Sequence, residues 1–428
     1  MGCIMFGTLV ALLCLGLPIA VCIGFASIMG ILFGHLPINP AVVGQRMFTA
    51  LDSFPFMAIP FFMLAGGLME HGGISRRLVR LASSMVGFLS GGLGLITVVA
   101  SAFFGAISGS NPATVAAIGG IMAPSMIKNR YAPAFAAAMA AAGGTLGVVI
   151  PPSIPMITYG VVAGVSIGDL FIMGIIPGAL LAFALCLCAM GMARKTGVPT
   201  TGAFRLNELA ASFVEAILAL CMPLIILGGI YGGVFTPTEA GAVACLYSFL
   251  VSIFVYREMT PAKLKQVIIS AGISTATVFF VLACSQSFAW LLNVGKISEN
   301  IVSGMLSLTD SYVGMLLLIN IILLFLGVFL ETQAIILLAA PILLPVAAKI
   351  GLDPLVLGII MIINTSIGMI TPPMAVNIFV AQSLVREHGV KLEHITRYII
   401  PFFLVEIGVL MLISYVPGIA TWLVHMVK

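Results

Sequence analysis

Charge is what this sequence has least of. Of its 428 residues, 7% are Asp, Glu, Lys or Arg and 61% are hydrophobic. A soluble domain carries about 25% charged residues, so this chain cannot clothe a water-facing surface. Residues 2–45 and 81–127 contain no Asp, Glu, Lys or Arg at all, and ~20 apolar residues suffice to span a bilayer as a helix. The ten-residue alternation of a membrane β-barrel is missing too. The chain reads as an all-α polytopic membrane protein embedded in a lipid bilayer. No CxxC pair occurs among its eight cysteines, which fall in apolar stretches or at their edges and read as small packing residues. The five histidines lie near ends or loops. A membrane-embedded enzyme with Ser110 as nucleophile therefore lacks its base, and a zinc site lacks ligands; no catalytic residue is expected. The first segment, residues 4–32, has no basic flank and is too long for a signal peptide's apolar core, so it reads as a retained helix. Phe6 stands where a myristoylation signal needs Ser or Thr. The net charge of +4 reports on topology, and no nucleic-acid partner is expected.

What the sequence does have is Gly and Pro in a repeated pattern. At an offset of 221 residues Pro124 pairs with Pro345, Pro133 with Pro354, Pro151 with Pro372, Pro152 with Pro373 and Gly147 with Gly368. The same register sets Thr145 against Ser366 and Ser110 against Glu331, and Ile74-Ser75 matches Ile297-Ser298 at offset 223. Gly and Pro fix backbone shape, so these matches imply two copies of one unit. Residues 1–203 form the first repeat, 204–233 an amphipathic stretch (204–215) and a linking helix, and 234–428 the second repeat.

The run 81–127 is too long for one span, and Arg76, Arg77 and Arg80 before it answer Lys128 and Arg130 after it. This fits a re-entrant hairpin (about 81–128) with its tip at Ser108-Gly109-Ser110-Asn111-Pro112. A second hairpin (about 311–348) has its tip at Gly327 to Thr332. Broken helices follow at 132–165 and 354–382, and single spans are expected at 4–33, 50–69, 170–193, 216–233, 236–255, 266–293 and 398–425. Fourteen of the eighteen Lys and Arg then share the cytoplasmic side, in accord with the positive-inside rule. Trp290 and Trp422 sit near span ends, as interfacial anchors do. Five crossings separate equivalent points, so the repeats are inverted, the architecture of a secondary transporter.

The helices are interrupted at four symmetric places: the two tips, Gly143 to Ser153, and Asn364 to Met374. Within hydrocarbon, irregular backbone is tolerated only inside protein or beside a water-filled cavity. Carbonyls freed by the Pro pairs, together with Ser and Thr hydroxyls, make oxygen cages suited to a hard cation such as sodium. Helix N-termini after each tip offer N–H groups to an anion. The alternative, that Gly and Pro merely kink packed helices, suits one break better than four related by one offset. No Lys or Arg lies inside an assigned span, so an acidic substrate at the midplane requires a bound co-ion. Glu331, at a tip, reads as a proton site or a helix cap; Glu239, in Thr236-Pro237-Thr238-Glu239, reads better as a cap. A channel needs a continuous polar pore, whereas the chain offers two compact polar loops.

Ser108-Gly109-Ser110-Asn111-Pro112-Ala113-Thr114, the IPPS at 150–153, and Thr371-Pro372-Pro373-Met374 to Asn377 resemble the large membrane (M) subunit of TRAP (tripartite ATP-independent periplasmic) transporters, over essentially the whole chain. The resemblance implies an elevator-type transporter in the bacterial inner membrane that takes up organic acids with sodium. It implies two partners, a small membrane (Q) subunit and a periplasmic substrate-binding (P) protein. Its sodium sites, about two, fall on Ser108, Ser110, Gly147, Ile150 and Pro152 in the first repeat and on Gly327, Gly368, Thr371 and Met374 in the second. Substrate falls between them, near Asn111, Pro112, Ser153, Thr332 and Asn377. Sialic acid and four-carbon dicarboxylates are both substrates of the family; the whole sequence leans to the sialic acid branch, and no single residue decides.

Overall fold

Proline and glycine decide where the helices of this chain stop. The computed structural model describes residues 1–34, 38–196, 204–309, 311–373 and 375–427. All regular structure among the described residues is helical, and nine helices there are long and apolar enough to cross a membrane.

Two series of elements follow one order. The first runs Ile19–Phe33, Ala41–Leu51 with Ala58–His71, the amphipathic Ile74–Val86, and a hairpin whose arms are Gly92–Ser108 and the stretch from Asn111–Thr114 to Gly120–Lys128. It continues through the broken helix Pro133–Gly144, Leu146–Val149 and Ile154–Ala163 to Ile167–Thr196. The second runs Pro237–Leu250, Pro261–Val294, Ile297–Leu308, the hairpin Tyr312–Phe329 and Thr332–Lys349, the broken helix Pro354–Gly368 and Val376–Leu384, and Leu392–Tyr415. The match extends to entry points. Ile74–Val86 is entered through left-handed Gly73 (φ 84°) and Ile297–Leu308 through left-handed Lys296 (φ 53°), and the Ile-Ser pair that follows each is buried.

Three expected spans are corrected. The segment 4–33 is two helices, Gly2–Cys14 and Ile19–Phe33, folded onto each other; left-handed Gly16 (φ 76°) and Pro18 at the N-cap end one and start the next. The last span is likewise divided, into Leu392–Tyr415 and Gly418–Val427, with Pro417 between them. By contrast, the amphipathic stretch and the linking helix are one continuous helix, Leu206–Tyr231, because Pro223 is accommodated within it. Each hairpin is also preceded by a separate amphipathic helix that apolar run length alone does not reveal.

The two halves exchange partners. Ile19–Phe33 packs on Pro261–Val294, and Pro237–Leu250 packs on Ala58–His71. The second seam is held at seven-residue intervals: Thr238 Oγ1 donates to the Phe54 carbonyl (3.1 Å), Cys245 Sγ to Phe61 (3.0 Å) and Ser252 Oγ to Leu68 (3.1 Å). A seven-residue period keeps one helix face turned to its neighbour, and small polar side chains let the backbones approach. Glu239 caps its helix as expected: its carboxylate accepts from the Thr236 N–H at 2.8 Å, while Thr236 Oγ1 accepts from the Glu239 N–H at 3.3 Å. Exchange recurs at the hairpins, where Ile154–Ala163 packs on Thr332–Lys349 and Val376–Leu384 on Val115–Gly119 of the first hairpin. The helix that follows each break therefore ends against the other half's hairpin.

Candidate ion and substrate site at the hairpin tips

The first tip is a turn tied by hydroxyls. Gly92–Ser108 ends at left-handed Gly109 (φ 59°), and Ser110 is extended before the next helix starts. Ser108 Oγ lies 3.0 Å from Thr114 Oγ1, which donates to the Ser110 carbonyl at 2.8 Å, and the Ser110 N–H donates back to Ser108 Oγ at 3.3 Å. The broken helix closes on this turn. A methyl on Gly147 would overlap the Ser110 carbonyl and stand 2.7 Å from Thr114 Oγ1, and one on Gly109 would stand 3.2 Å from the Pro152 carbonyl. Ser108, Ser110, Gly147 and Pro152 are therefore brought together, with hydroxyl and carbonyl oxygens at the meeting point. Ile150 instead lies against Gly178 of the next helix.

The second tip repeats the arrangement with less polar side chains. Gly327 and Gly368 meet back to back: a methyl on Gly327 would stand 2.9 Å from Gly368 Cα, and one on Gly368 2.5 Å from Gly327 Cα. Thr371 Oγ1 donates to the Ile367 carbonyl at 2.9 Å. Both Pro pairs, Pro151-Pro152 and Pro372-Pro373, are joined by cis bonds. Met374 lies outside the described residues. Glu331 is exposed at the N-cap of Thr332–Lys349 and makes no side-chain capping bond.

Asn111 joins the two halves. Its Oδ1 accepts from the Val148 N–H at 2.9 Å, and its Nδ2 donates to Ser366 Oγ at 2.7 Å. Ser366 Oγ in turn donates to the Thr145 carbonyl at 2.7 Å. Asn111 and its repeat equivalent Thr332 both reach the Met369 sulfur, at 3.4 and 3.5 Å. Asn377 donates its amide to the Ala141 carbonyl at 3.3 Å. Two further polar atoms at this crossing, Ser153 Oγ and Asn377 Oδ1, are buried without a hydrogen-bond partner among the described residues. Buried polar atoms are nearly always paired, so these two are open to a bound group. Pro112 is half-buried at the start of Asn111–Thr114 and joins none of these hydrogen bonds.

Residues 6–419 match the family described as "Tripartite ATP-independent periplasmic transporter, DctM component". The chain belongs to the DctM family. Among curated relatives it is 42% identical over 418 residues to an isethionate TRAP transporter permease protein, DctMQ, of Oleidesulfovibrio alaskensis, covering 97% of this chain and 65% of that protein. The chain thus spans about two thirds of that relative's length. It is 36% identical to the C4-dicarboxylate TRAP transporter large permease protein of Rhodobacter capsulatus, covering 97% of each. It is also 36% identical to the sialic acid TRAP transporter large permease protein SiaM of Vibrio cholerae, covering 96% of this chain and 95% of that one. In fold it is similar to the YdaH transporter of Alcanivorax borkumensis, with a TM-score of 0.65, 15% identity and coverage of 90% and 89%. This DctM chain is a multi-pass protein of the bacterial inner membrane and a transporter component, not an enzyme.

The structure adds residues to those named from the sequence. A cavity of about 190 Å³ separates the first tip from the helices behind it, and Ser108 and Ser110 face Glu70, His71, Ser270 and Ser274 across it. The Ser270/Ser274 pair, four residues apart in an apolar helix, is the signal that points to that wall. A second addition is Glu406, fully buried within Leu392–Tyr415 with Oε1 2.7 Å from Thr145 Oγ1. A lone acid inside a long apolar helix is visible in the sequence once acids, as well as cations, are sought within spans. A third is the buried chain in which Asn364 donates to Asn320 Oδ1 at 2.9 Å and Asn320 donates to Ser414 Oγ at 3.1 Å.

Proposed function

We propose that this chain is the large membrane subunit of a sodium-coupled TRAP transporter that takes up an organic acid anion by an elevator movement, working with a small membrane (Q) subunit and a periplasmic substrate-binding protein. The observation that carries the reading is the meeting of both tips and both broken helices at one crossing, where Asn111 and Ser366 bond and two buried polar atoms are unpaired. Irregular backbone at such depth is the mark of an ion and substrate pathway.

Sodium is the coupling ion in this reading. Ser108, Ser110, Gly147 and Pro152 hold one ion, joined by the main chain of Ile150, whose side chain turns to Gly178, and Gly327, Gly368 and Thr371 hold the other, largely through main-chain oxygens. The tight glycine contacts suit this: they bring the Ser110 and Pro152 carbonyls to the tip turn with no side chain between. The site also carries no cation of its own, so a bound sodium ion supplies the positive charge that an anion needs there. Substrate then lies against Asn111, Pro112, Ser153, Thr332 and Asn377, with the Ser153 hydroxyl and the Asn377 carbonyl oxygen as unused polar groups.

The element order, repeated with exchanged packing, supports inverted repeats in which the tip-bearing elements move as one body against the paired helices. Substrate choice stays at the level of small organic anions. Identity does not single out one anion, with the sialic acid relative at 36%, C4-dicarboxylate relatives at 36% and 40%, and the isethionate relative at 42%, so all three anions form the test panel. Uptake into proteoliposomes holding the chain and its small subunit, with the binding protein outside, tests the reading. Sodium-dependent accumulation of a panel anion is the expected result; sodium-independent uptake removes the coupling.

A further inference from the structure

Among the described residues, no positive charge reaches the buried Glu406. Its helix, Leu392–Tyr415, packs against Ile167–Thr196, Pro133–Gly144, Pro354–Gly368, Val376–Leu384, Tyr312–Phe329 and Gly418–Val427. Of these, Pro133–Gly144, Pro354–Gly368 and Val376–Leu384 carry no titratable residue. Ile167–Thr196 faces the carboxyl with Cys188, and its Asp169, Arg194 and Lys195 lie at its ends. Tyr312 and His425 lie at the ends of their helices. On its own helix Glu393, His394, Arg397 and Tyr398 are in the first two turns and Tyr415 is at the end. Arg397, nine residues before Glu406, is roughly 13 Å away along the axis at 1.5 Å per residue.

The hydrogen count at Thr145 is short by one. Thr145 Oγ1 stands 2.7 Å from the Ala142 carbonyl oxygen and 2.7 Å from Glu406 Oε1. A hydroxyl has one hydrogen to donate. With Glu406 ionised, both neighbours are acceptors, one short contact is acceptor against acceptor, and Oε2 is a charged oxygen with no donor among the described residues. With a proton on Oε1 the chain closes in one direction: the carboxyl O–H donates to Thr145 Oγ1, and the Thr145 hydroxyl donates to Ala142. Oε2 is then a neutral carbonyl oxygen, much the cheaper group to leave unpaired in a dry interior.

We infer that Glu406 holds a resident proton as a neutral carboxylic acid and, through Thr145, positions the crossing of the two broken helices. Glu406 touches neither proposed ion site; it acts through the residue whose carbonyl receives Ser366, which is held in turn by Asn111. The proton fixes which way Thr145 donates and so anchors the last long helix to the break. The proton is part of the folded protein and is not carried across the membrane.

Infrared spectroscopy of the full chain in lipid tests the proton without any transport assay. The parent at neutral pH is expected to show a protonated-carboxyl C=O stretch that Glu406→Gln removes and that Thr145→Val shifts. A parent spectrum with no band removed by Glu406→Gln overturns the inference. The uptake arm rests on the transport reading. There Glu406→Gln, which stays neutral and can donate to Thr145, keeps sodium-dependent uptake within about twofold, and Glu406→Ala lowers it about tenfold or more through the lost buried hydrogen bond. Any alkaline fall of uptake in the parent that involves this carboxyl is flattened in Glu406→Gln. Abolished uptake in a folded Glu406→Gln protein means that the acid must ionise during the cycle, which overturns the resident proton. The infrared comparison decides whether or not the parent transports.

Discussion

Ser366 donates its hydroxyl to the main-chain carbonyl of Thr145 at 2.7 Å, and these two residues are each other's equivalents in the 221-residue repeat. A contact between equivalent positions is what a two-fold relation produces next to its axis. Here it places both helix breaks at a common point, within hydrogen-bond reach of the first hairpin tip through Asn111. Each proposed ion site therefore has the other as its neighbour, and a change at one tip has a short, fully buried path to the other half.

The glycine contacts give the sharpest prediction for the ion sites. An added methyl at Gly147 meets the Ser110 carbonyl, and one at Gly368 stands 2.5 Å from Gly327 Cα, so something must shift. Overpacking of this kind costs about 1–3 kcal/mol. Sodium activation curves for Gly147→Ala and Gly368→Ala are expected to move to higher sodium by about tenfold or more, 1.4 kcal/mol being tenfold. An unchanged curve for either variant places that ion elsewhere.

Ser153 and Asn377 separate a binding role from a structural one. Ser153 Oγ has no partner among the described residues, so Ser153→Ala removes a buried polar group that nothing satisfies, a change that leaves stability the same or higher. Thermal unfolding without substrate is expected to be unchanged or raised while the KM for uptake rises. Normal uptake in Ser153→Ala, or a fall in stability, contradicts the assignment.

Asn111 is the reverse case, because all its side-chain polarity is used. Asn111→Ala strips the Val148 N–H of its acceptor and removes the donor to Ser366 Oγ, which keeps its own bond to Thr145. An unsatisfied buried group costs about 1–3 kcal/mol. Lower stability together with weakened sodium activation is expected, measured on the same purified protein. Loss of neither means the crossing is held by other contacts.

Gly73 lies outside the proposed ion-binding residues, two positions past the His71 that lines the cavity behind the first tip, and tests whether the ion cluster beside it is separate from the coupling ion. It has φ 84°, and the Glu258 carboxylate occupies the space a side chain would need. That carboxylate receives Arg77 at 2.9 Å as well as Arg76, and Arg77 also stacks on Tyr256 at 3.7 Å. Gly73→Ala costs roughly 1–2 kcal/mol for the left-handed backbone alone, and displaces Glu258 in addition. Reduced stability with an unmoved sodium curve is the expected pair of results; a shifted curve would tie this ion cluster to the coupling ion.

The parts of this fold that were legible in the sequence are those written in Gly and Pro. Both tips, both breaks and the repeat register follow from residues that restrict or free the backbone whatever surrounds them. The division of the first segment was written the same way, in Gly16 and Pro18, but an uninterrupted apolar run concealed it, since hydrophobicity counts residues and not turns. Glu406 was harder for another reason. Its partner Thr145 lies 261 residues away, and only the folded chain shows that one hydroxyl serves two acceptors. The Ser270 and Ser274 wall belongs to the same class: each is an ordinary small residue in an apolar helix until the hairpin tip is set opposite it.

The measurement that tests the account most directly is uptake by proteoliposomes containing this chain and its small subunit, with binding protein outside, at a set sodium gradient and membrane potential. Two sodium ions entering with one monoanion carry a net charge of +1, worth about 2.3 kcal/mol per 100 mV. For the monoanions of the panel, sialic acid and isethionate, uptake is expected to require sodium and binding protein and to grow with an inside-negative potential. Uptake of either anion without sodium, and indifferent to potential, would contradict the account.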